Sequence, residues 1–360
     1  MLKITYLAGL AVIVLASCSS PQNQSAVKSK PAQTKIFSAQ LISKSIKNQN
    51  DTISIKLSNE VKIKADSLKI EIQGNRLVSA PVNNVVNFNV NNLKTGTHTF
   101  RTIVYYNDSL SEVHILKAFI WSNVAPKKLS YKVKNTIPHD MDAYTQGLFY
   151  SDGFLYESTG SPAGSNYISK LRKIAPETGE VLKEKLIGEQ FFGEGSTRIG
   201  DNIYVLTYKA RIGFIYDFNT FEEKERFPLQ LAEGWGLTNN STELIMSNGS
   251  KYLYFYDASN FNLNMQLEVA DNNKVYRFLN ELEYTPYGVF SNVYGNNEIL
   301  LINEKTGAVK SILDLTGLIP KEVPQDMDHV LNGIAWKKDN IFYITGKLWP
   351  VIYEIEIIGL

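Results

Sequence analysis

The chain is almost without cysteine, poor in histidine and close to electrically neutral, and each shortage removes a class of function. Its single cysteine, Cys18, permits no intramolecular disulfide. Its four histidines (His98, His114, His139 and His329) stand at no metal-ligand spacing with one another, and no thiol lies beyond position 18. A tetrahedral zinc site is therefore not expected. Lysine and arginine number 37 against 36 acidic residues, so the basic excess of a nucleic-acid binder is missing. There is no G-x-S-x-G elbow for a nucleophilic serine. The run "GEGST" at 193–197 is followed by neither a helical pattern nor GK[ST], which argues against a phosphate loop. What the chain has instead is aromatic residues, 20 Tyr and 17 Phe, much of them in strand-like alternation, within 44% apolar residues. That is the composition of an ordinary globular protein.

The N-terminus carries Lys3, an apolar run at 7–16 and then "LASC". Ten apolar residues are too few to span a bilayer, so 1–17 reads as a signal peptide. "LASC" is similar to the bacterial lipoprotein box, which implies lipidation of Cys18 and a chain anchored by its lipid alone. Residues 18–34, polar and rich in Ser, Gln and Pro, read as a flexible tether. With Ser19 and Ser20 after the cysteine, the expected place is the bacterial cell envelope, at the outer membrane facing the periplasm.

Residues 35–125 hold short runs of period-two alternation, among them "DTISIKL", "THTFRTIVYY" and "EVHILKAFIW". They predict a small β-sandwich of immunoglobulin-like type, an accessory module with no site chemistry of its own. Residues 125–128 read as a linker into a catalytic region, 126–360.

That region repeats. A short polar motif precedes a strand pair at "QGL" (146), "EGS" (194), "EGW" (233), "NEL" (280) and "NGI" (332), at spacings of 48, 39, 47 and 52 residues. Units of this length with four strands each predict an all-β fold, a five-bladed β-propeller. The last unit runs short of a strand, which residues 128–137 ("KLSYKVKNTI") can supply from the N-terminal side. The motif-opening residues Gln146, Glu194, Glu233, Asn280 and Asn332 would then gather around one mouth of a central channel, a place suited to a small-molecule site.

With metal and nucleophile chemistry thinly represented, carboxylates remain. Gly193 and Gly195 flank Glu194 in a tight bend, and "LAEGWGLT" repeats the design with Glu233 and Trp235. "FLNELEYT" offers Asn280, Glu281 and Glu283, and "YITGKLWP" offers Lys347 and Trp349. Singly, each of these fits an ordinary turn or core residue. Taken together and in order, "YTQGLFY", "FGEGST", "EGWGLT", "LNELEY", "LNGIAW" and "TGKLWP" resemble the plant and bacterial type of glutaminyl-peptide cyclotransferase. The resemblance covers 126–360. It implies a five-bladed propeller and an acyltransferase that turns an N-terminal glutamine of peptides or proteins into pyroglutamate, releasing ammonia. It also implies Glu194 as the proton shuttle, with Gln146, Trp235, Asn280 and Lys347 around the substrate. Two positions depart from the family's tendency to tryptophan, Tyr208 in "LTYK" and Tyr294 in "NVY". Both keep an aromatic wall and add a hydroxyl, which bears on the preferred second residue of the substrate.

The expectations that follow are catalysis without a cofactor or metal, a monomer, peptide or protein substrates with N-terminal glutamine, and no nucleic-acid partner. Two other readings stay open at this point. One is a calcium-dependent propeller hydrolase of lactonase type with Glu194 and Asn280 as ligands. The other is a non-catalytic propeller that binds a partner through its rim.

Overall fold

The alternating runs of the N-terminal region do fold as strands: Thr52–Asn59, Ala65–Ile72, Gly96–Tyr106 and Leu110–Ile120. Phe37–Leu41, Ser45–Ile46, Asn75–Pro81 and Val85–Asn89 are added to them. The structure, a computed structural model, describes residues 35–46, 51–59, 63–72, 75–81, 85–89, 93–162 and 164–360. Cys18, the signal peptide and the tether lie outside the described residues. The strands form a three-stranded and a five-stranded sheet. Their apolar faces, including Ile55, Leu68, Phe100, Val104 and Ile120, close on one shared core. Two sheets around one core make a β-sandwich.

Beyond it, the repeat becomes a ring. Five strands, Thr145–Ser151, Gly193–Ile199, Leu237–Asn239, Leu279–Thr285 and Leu331–Lys338, each open an antiparallel run in which successive strands pair in chain order. Each of these inner strands contacts the next, and the fifth contacts the first. The apolar cores lie between neighbouring sheets. One, with Tyr156, Val205 and Phe214, joins the first sheet to the second. Another, with Leu148, Leu155, Tyr343 and Ile352, joins the fifth run back to the first.

The missing strand arrives as the repeat count requires, slightly longer than expected. Lys127–Pro138 pairs antiparallel with Val351–Ile358, and its first residues pair in parallel with 311–313. The residues 127 and 128, read above as linker, therefore already belong to the ring.

Four of the five inner strands share an irregularity at the polar motifs. Pairing slips between Thr145 and Gly147, Gly193 and Ser196, Leu279 and Leu282, and Leu331 and Ile334. Such β-bulges re-aim a side chain without ending the strand. Glu194 thus sits in a bulged strand and not in the tight bend expected of "GEG". The glycines serve close approach. A Cβ on Gly147 would lie 2.5 Å from the Ser196 nitrogen, one on Gly195 2.3 Å from the Leu237 nitrogen, and one on Gly236 2.0 Å from the Asn280 oxygen. These three glycines therefore each face the backbone of the next unit; Glu281 follows Gly236 in the series, and Gly333 meets the Thr345 and Thr145 side chains. This fixes the equivalence of the preceding residues as Gln146, Glu194, Trp235, Asn280 and Asn332. The third is two positions later than the repeat reading placed it. Glu233 stands at the rim instead, 3.4 Å from Lys209 and accepting from Trp235 Nε1 at 3.2 Å.

Ile36–Leu360 form one compact unit, and the sandwich is tied to the ring by specific bonds. Thr95 N–H donates to the Thr306 carbonyl (2.8 Å) and its hydroxyl to the Glu268 carbonyl (2.6 Å). The buried Glu268 carboxylate accepts the Thr97 N–H at 2.9 Å and pairs with Lys251. Removing one partner of a buried pair strands the other. Glu268→Ala is therefore expected to cost about 2 kcal/mol in urea unfolding, whereas Glu223→Ala, which breaks the exposed Glu223–Arg226 pair, should cost under about 1 kcal/mol.

Candidate active site

All seven residues assigned to the site from the sequence (Gln146, Glu194, Tyr208, Trp235, Asn280, Tyr294 and Lys347) line one cavity of about 230 Å³ at one end of the ring. Tyr144 and Phe192 complete its wall. Both lie inside the motifs "YTQGLFY" and "FGEGST", immediately ahead of the bulged segment.

Glu194 is held through its main chain. Its carbonyl accepts the Ser158 hydroxyl at 2.5 Å, Gly193 N–H donates to the Ser169 hydroxyl at 2.9 Å, and Gly195 N–H to the Trp235 carbonyl at 2.8 Å. The side chain is 4% exposed. Burial raises its pKa to about 8, Lys347 pulling down against that and Glu233 adding to it.

Lys347 comes from a tight loop after Ile341–Gly346. Its N–H donates to the Val330 carbonyl (2.9 Å), Leu348 takes a left-handed φ of 57°, and Trp349 folds back over Gly346. A Cβ on Gly346 would meet the Trp349 ring at 2.3 Å, so only glycine permits this fold-back. His139 supports the loop from behind: its Nδ1 donates to the Trp349 carbonyl at 2.9 Å and its Nε2 meets Glu157 at 2.9 Å. The Lys347 ammonium lies 4.6 Å from the Tyr144 ring centre and 5.2 Å from that of Tyr294. Burial brings its pKa down to about 8, against the pull of Glu194 and Asp328. The aromatic faces return part of the lost hydration as cation–π attraction.

The amide of Asn280 can be oriented by elimination. The Thr145 carbonyl only accepts, so Asn332 presents its NH2 there at 2.9 Å. The Asn332 oxygen must then accept from Asn280 Nδ2, also at 2.9 Å. Asn280 Oδ1 is left buried and, among the described residues, without a donor. An unpaired buried acceptor lining a cavity is suited to a ligand N–H. Gln146 sits beside this pair, its oxygen 3.5 Å from Asn332 Nδ2.

The two carboxylates after Asn280 do other work. Glu281 is fully buried and accepts the Leu148 N–H (3.2 Å) and the Ile334 N–H (2.9 Å), joining three inner strands across the axis. Burial, with Glu283 adding, holds its pKa well above the carboxylate range. Glu283 accepts the Trp336 N–H at 2.8 Å and is raised to about 8 by burial. It faces a separate cavity with Arg198 and Tyr150. Among the described residues, no group of three His, Cys, Asp or Glu could hold a metal ion.

The cavity thus combines one carboxyl group near neutrality, one amine cation, an open acceptor and aromatic walls. Comparison with known proteins agrees in scope. The glutamine cyclotransferase family profile matches residues 108–357. A glutaminyl-peptide cyclotransferase of Arabidopsis thaliana is 35% identical over 225 residues, 61% of this chain and 69% of that one. The crystal structure of the Myxococcus xanthus glutaminyl cyclase superposes with a TM-score of 0.59 at 27% identity, covering 65% of this chain and 98% of that one. The chain belongs to the glutamine cyclotransferase family.

Proposed function

We propose that the protein is a glutaminyl-peptide cyclotransferase acting on peptides or proteins with N-terminal glutamine, and that Glu194 carries the proton. The observation that bears most weight is the burial of Glu194 in the cavity beside Lys347, with a pKa near 8. The α-amine of the bound glutamine attacks its own γ-carboxamide carbon, and a new C–N bond closes the ring. Glu194 takes the proton that the amine sheds and returns it to the departing NH2, which leaves as ammonia. Its pKa lies close to the ~8 of a free α-amine, so the transfer is nearly balanced in both directions. Lys347 opposes the negative charge that gathers on the γ-oxygen. Asn280 Oδ1 accepts an N–H of the substrate, and the Trp235 wall presses the glutamine into its cyclising shape, which makes the attack intramolecular at close range.

The test is direct. The fragment from residue 35 is incubated with Gln-Gly and Gln-Phe, and ammonia is measured. Release of ammonia with formation of pyroglutamyl peptide is expected; its absence would rule the reading out. The sign of the pH dependence follows from the two shifts. Glu194 becomes a base as pH rises through about 8, while Lys347 loses its charge over the same range, so kcat/KM should be bell-shaped with its maximum near pH 8. Each charge stabilises the other, so the limbs belong to the pair.

The ring of five four-stranded runs reads as a five-bladed propeller spanning 126–360, with the sandwich of 35–125 as an accessory domain. Cys18 and the run before it support a lipid anchor, with the enzyme held at a bacterial outer membrane and facing the periplasm. Metabolic labelling with a palmitate analogue, lost on Cys18→Ala, is the measurement for that part.

A further inference from the structure

The segment from Asp326 to Val330 belongs to none of the recurring motifs, yet three residues of the site, and Trp349 beside Lys347, are bonded to it. The Tyr294 hydroxyl donates to the Met327 carbonyl at 3.1 Å, and the Tyr144 hydroxyl to Asp328 Oδ1 at 2.9 Å. Trp349 Nε1 donates to the His329 carbonyl at 3.0 Å, and Lys347 N–H to the Val330 carbonyl at 2.9 Å. Within the segment, Asp326 Oδ1 accepts the backbone N–H groups of Asp328 and His329 and faces His329 Nδ1 at 2.7 Å, so the loop keeps its own shape. The same two tyrosines lie under the Lys347 ammonium. The loop, the tyrosines and the lysine therefore form a closed circuit of contacts on one side of the cavity.

We propose that Asp328 is a positioning residue of this site, held by Tyr144 and by the Tyr294 tether so that its carboxylate keeps Lys347 charged and directed into the cavity. This rests on the cyclotransferase reading for its consequence but not for its geometry. The groups that face Lys347 are Glu194 and Asp328, which both favour its charged form, and the rings of Tyr144 and Tyr294; burial opposes them. Glu194 is committed to exchanging protons with the substrate and is neutral for part of each turnover. Asp328 exchanges no proton with the substrate, and it accepts the hydroxyl of Tyr144, whose ring lies 4.6 Å from the lysine ammonium.

The test compares wild type, Asp328→Asn and Tyr294→Phe. Asparagine keeps an acceptor for Tyr144 and removes only the charge; phenylalanine keeps the ring and removes only the tether. The pH dependence of reductive methylation at Lys347, followed by mass spectrometry, reads the lysine without calling on turnover. For Asp328→Asn the midpoint is expected to fall by about half a unit to one unit, and the alkaline limb of kcat/KM to move with it. Tyr294→Phe should move it the same way by less. An unmoved lysine midpoint in Asp328→Asn, or in Tyr294→Phe should the first variant not fold, would overturn the proposal. Absence of ammonia from the wild type would instead strike the cyclotransferase reading and leave the lysine result standing.

Discussion

Glu194→Gln is expected to lower kcat for glutaminyl dipeptides by about 10²–10⁴-fold, the range that one positioned acid–base group supplies, with KM changed little. The amide matches the carboxyl in shape and retains its donors and acceptors but accepts no proton at neutral pH. The variant should unfold within about 1 kcal/mol of the wild type, because relief of the buried carboxyl offsets the partner that Lys347 loses. Glu194 is a buried carboxyl whose raised pKa records the cost of its burial, and the neutral amide avoids that cost. Loss of turnover with little change in stability separates a proton carrier from a structural residue. Equal rates in the two proteins would remove Glu194 from the mechanism.

The second large effect is on the fold. Gly236→Ala should destabilise the protein by about 3 kcal/mol or more, at the upper end of overpacking costs. The added methyl would lie 2.0 Å from the Asn280 oxygen and 2.8 Å from the Glu281 Cα, atoms of a neighbouring backbone that no rotamer change can move aside. Gly153→Ala is the control. Nothing lies within 4 Å of its Cβ position, so only its φ of 88° is penalised, at about 1–2 kcal/mol. Urea unfolding of the two variants reads the difference. Equal losses would mean that the inner strands can part without cost. Because the strained oxygen belongs to Asn280, Gly236→Ala should also disturb the acceptor that faces the substrate.

The sequence made the ring legible because each unit repeats both its strand pattern and a polar motif at its inner edge. The site was legible because those motifs stand in an order shared with a family. The register of the third unit was not. "EGWG" holds two glycines two residues apart, and only the distance to the next strand shows that Gly236, and not Gly234, occupies the crowded position. Glu281 and Glu283 offered the same carboxylate chemistry as Glu194, and nothing in "NELEY" reveals that both are spent on backbone N–H groups. Tyr144 and Phe192 were hidden by their type. An aromatic before a strand is usually core, and it becomes a wall only where the bulge opens a cavity beside it. The loop around Asp328 had no pattern at all, since its role lies in bonds to residues far away in the chain.

The strand Lys127–Pro138 has a consequence for the order of folding during synthesis. Most of its length pairs with Val351–Ile358, more than two hundred residues later and near the end of the chain. Until the ribosome has released that last strand, residues 130–138 stand with one side unpaired next to nearly complete sheets. Contacts this distant in sequence form slowly, and an open edge invites pairing with another nascent copy. The charged side chains Lys132 and Lys134 on that strand are exposed, which suits an edge that must wait. Closing the ring therefore waits for the strand Val351–Ile358, and a chain truncated before that strand should aggregate before it can fold.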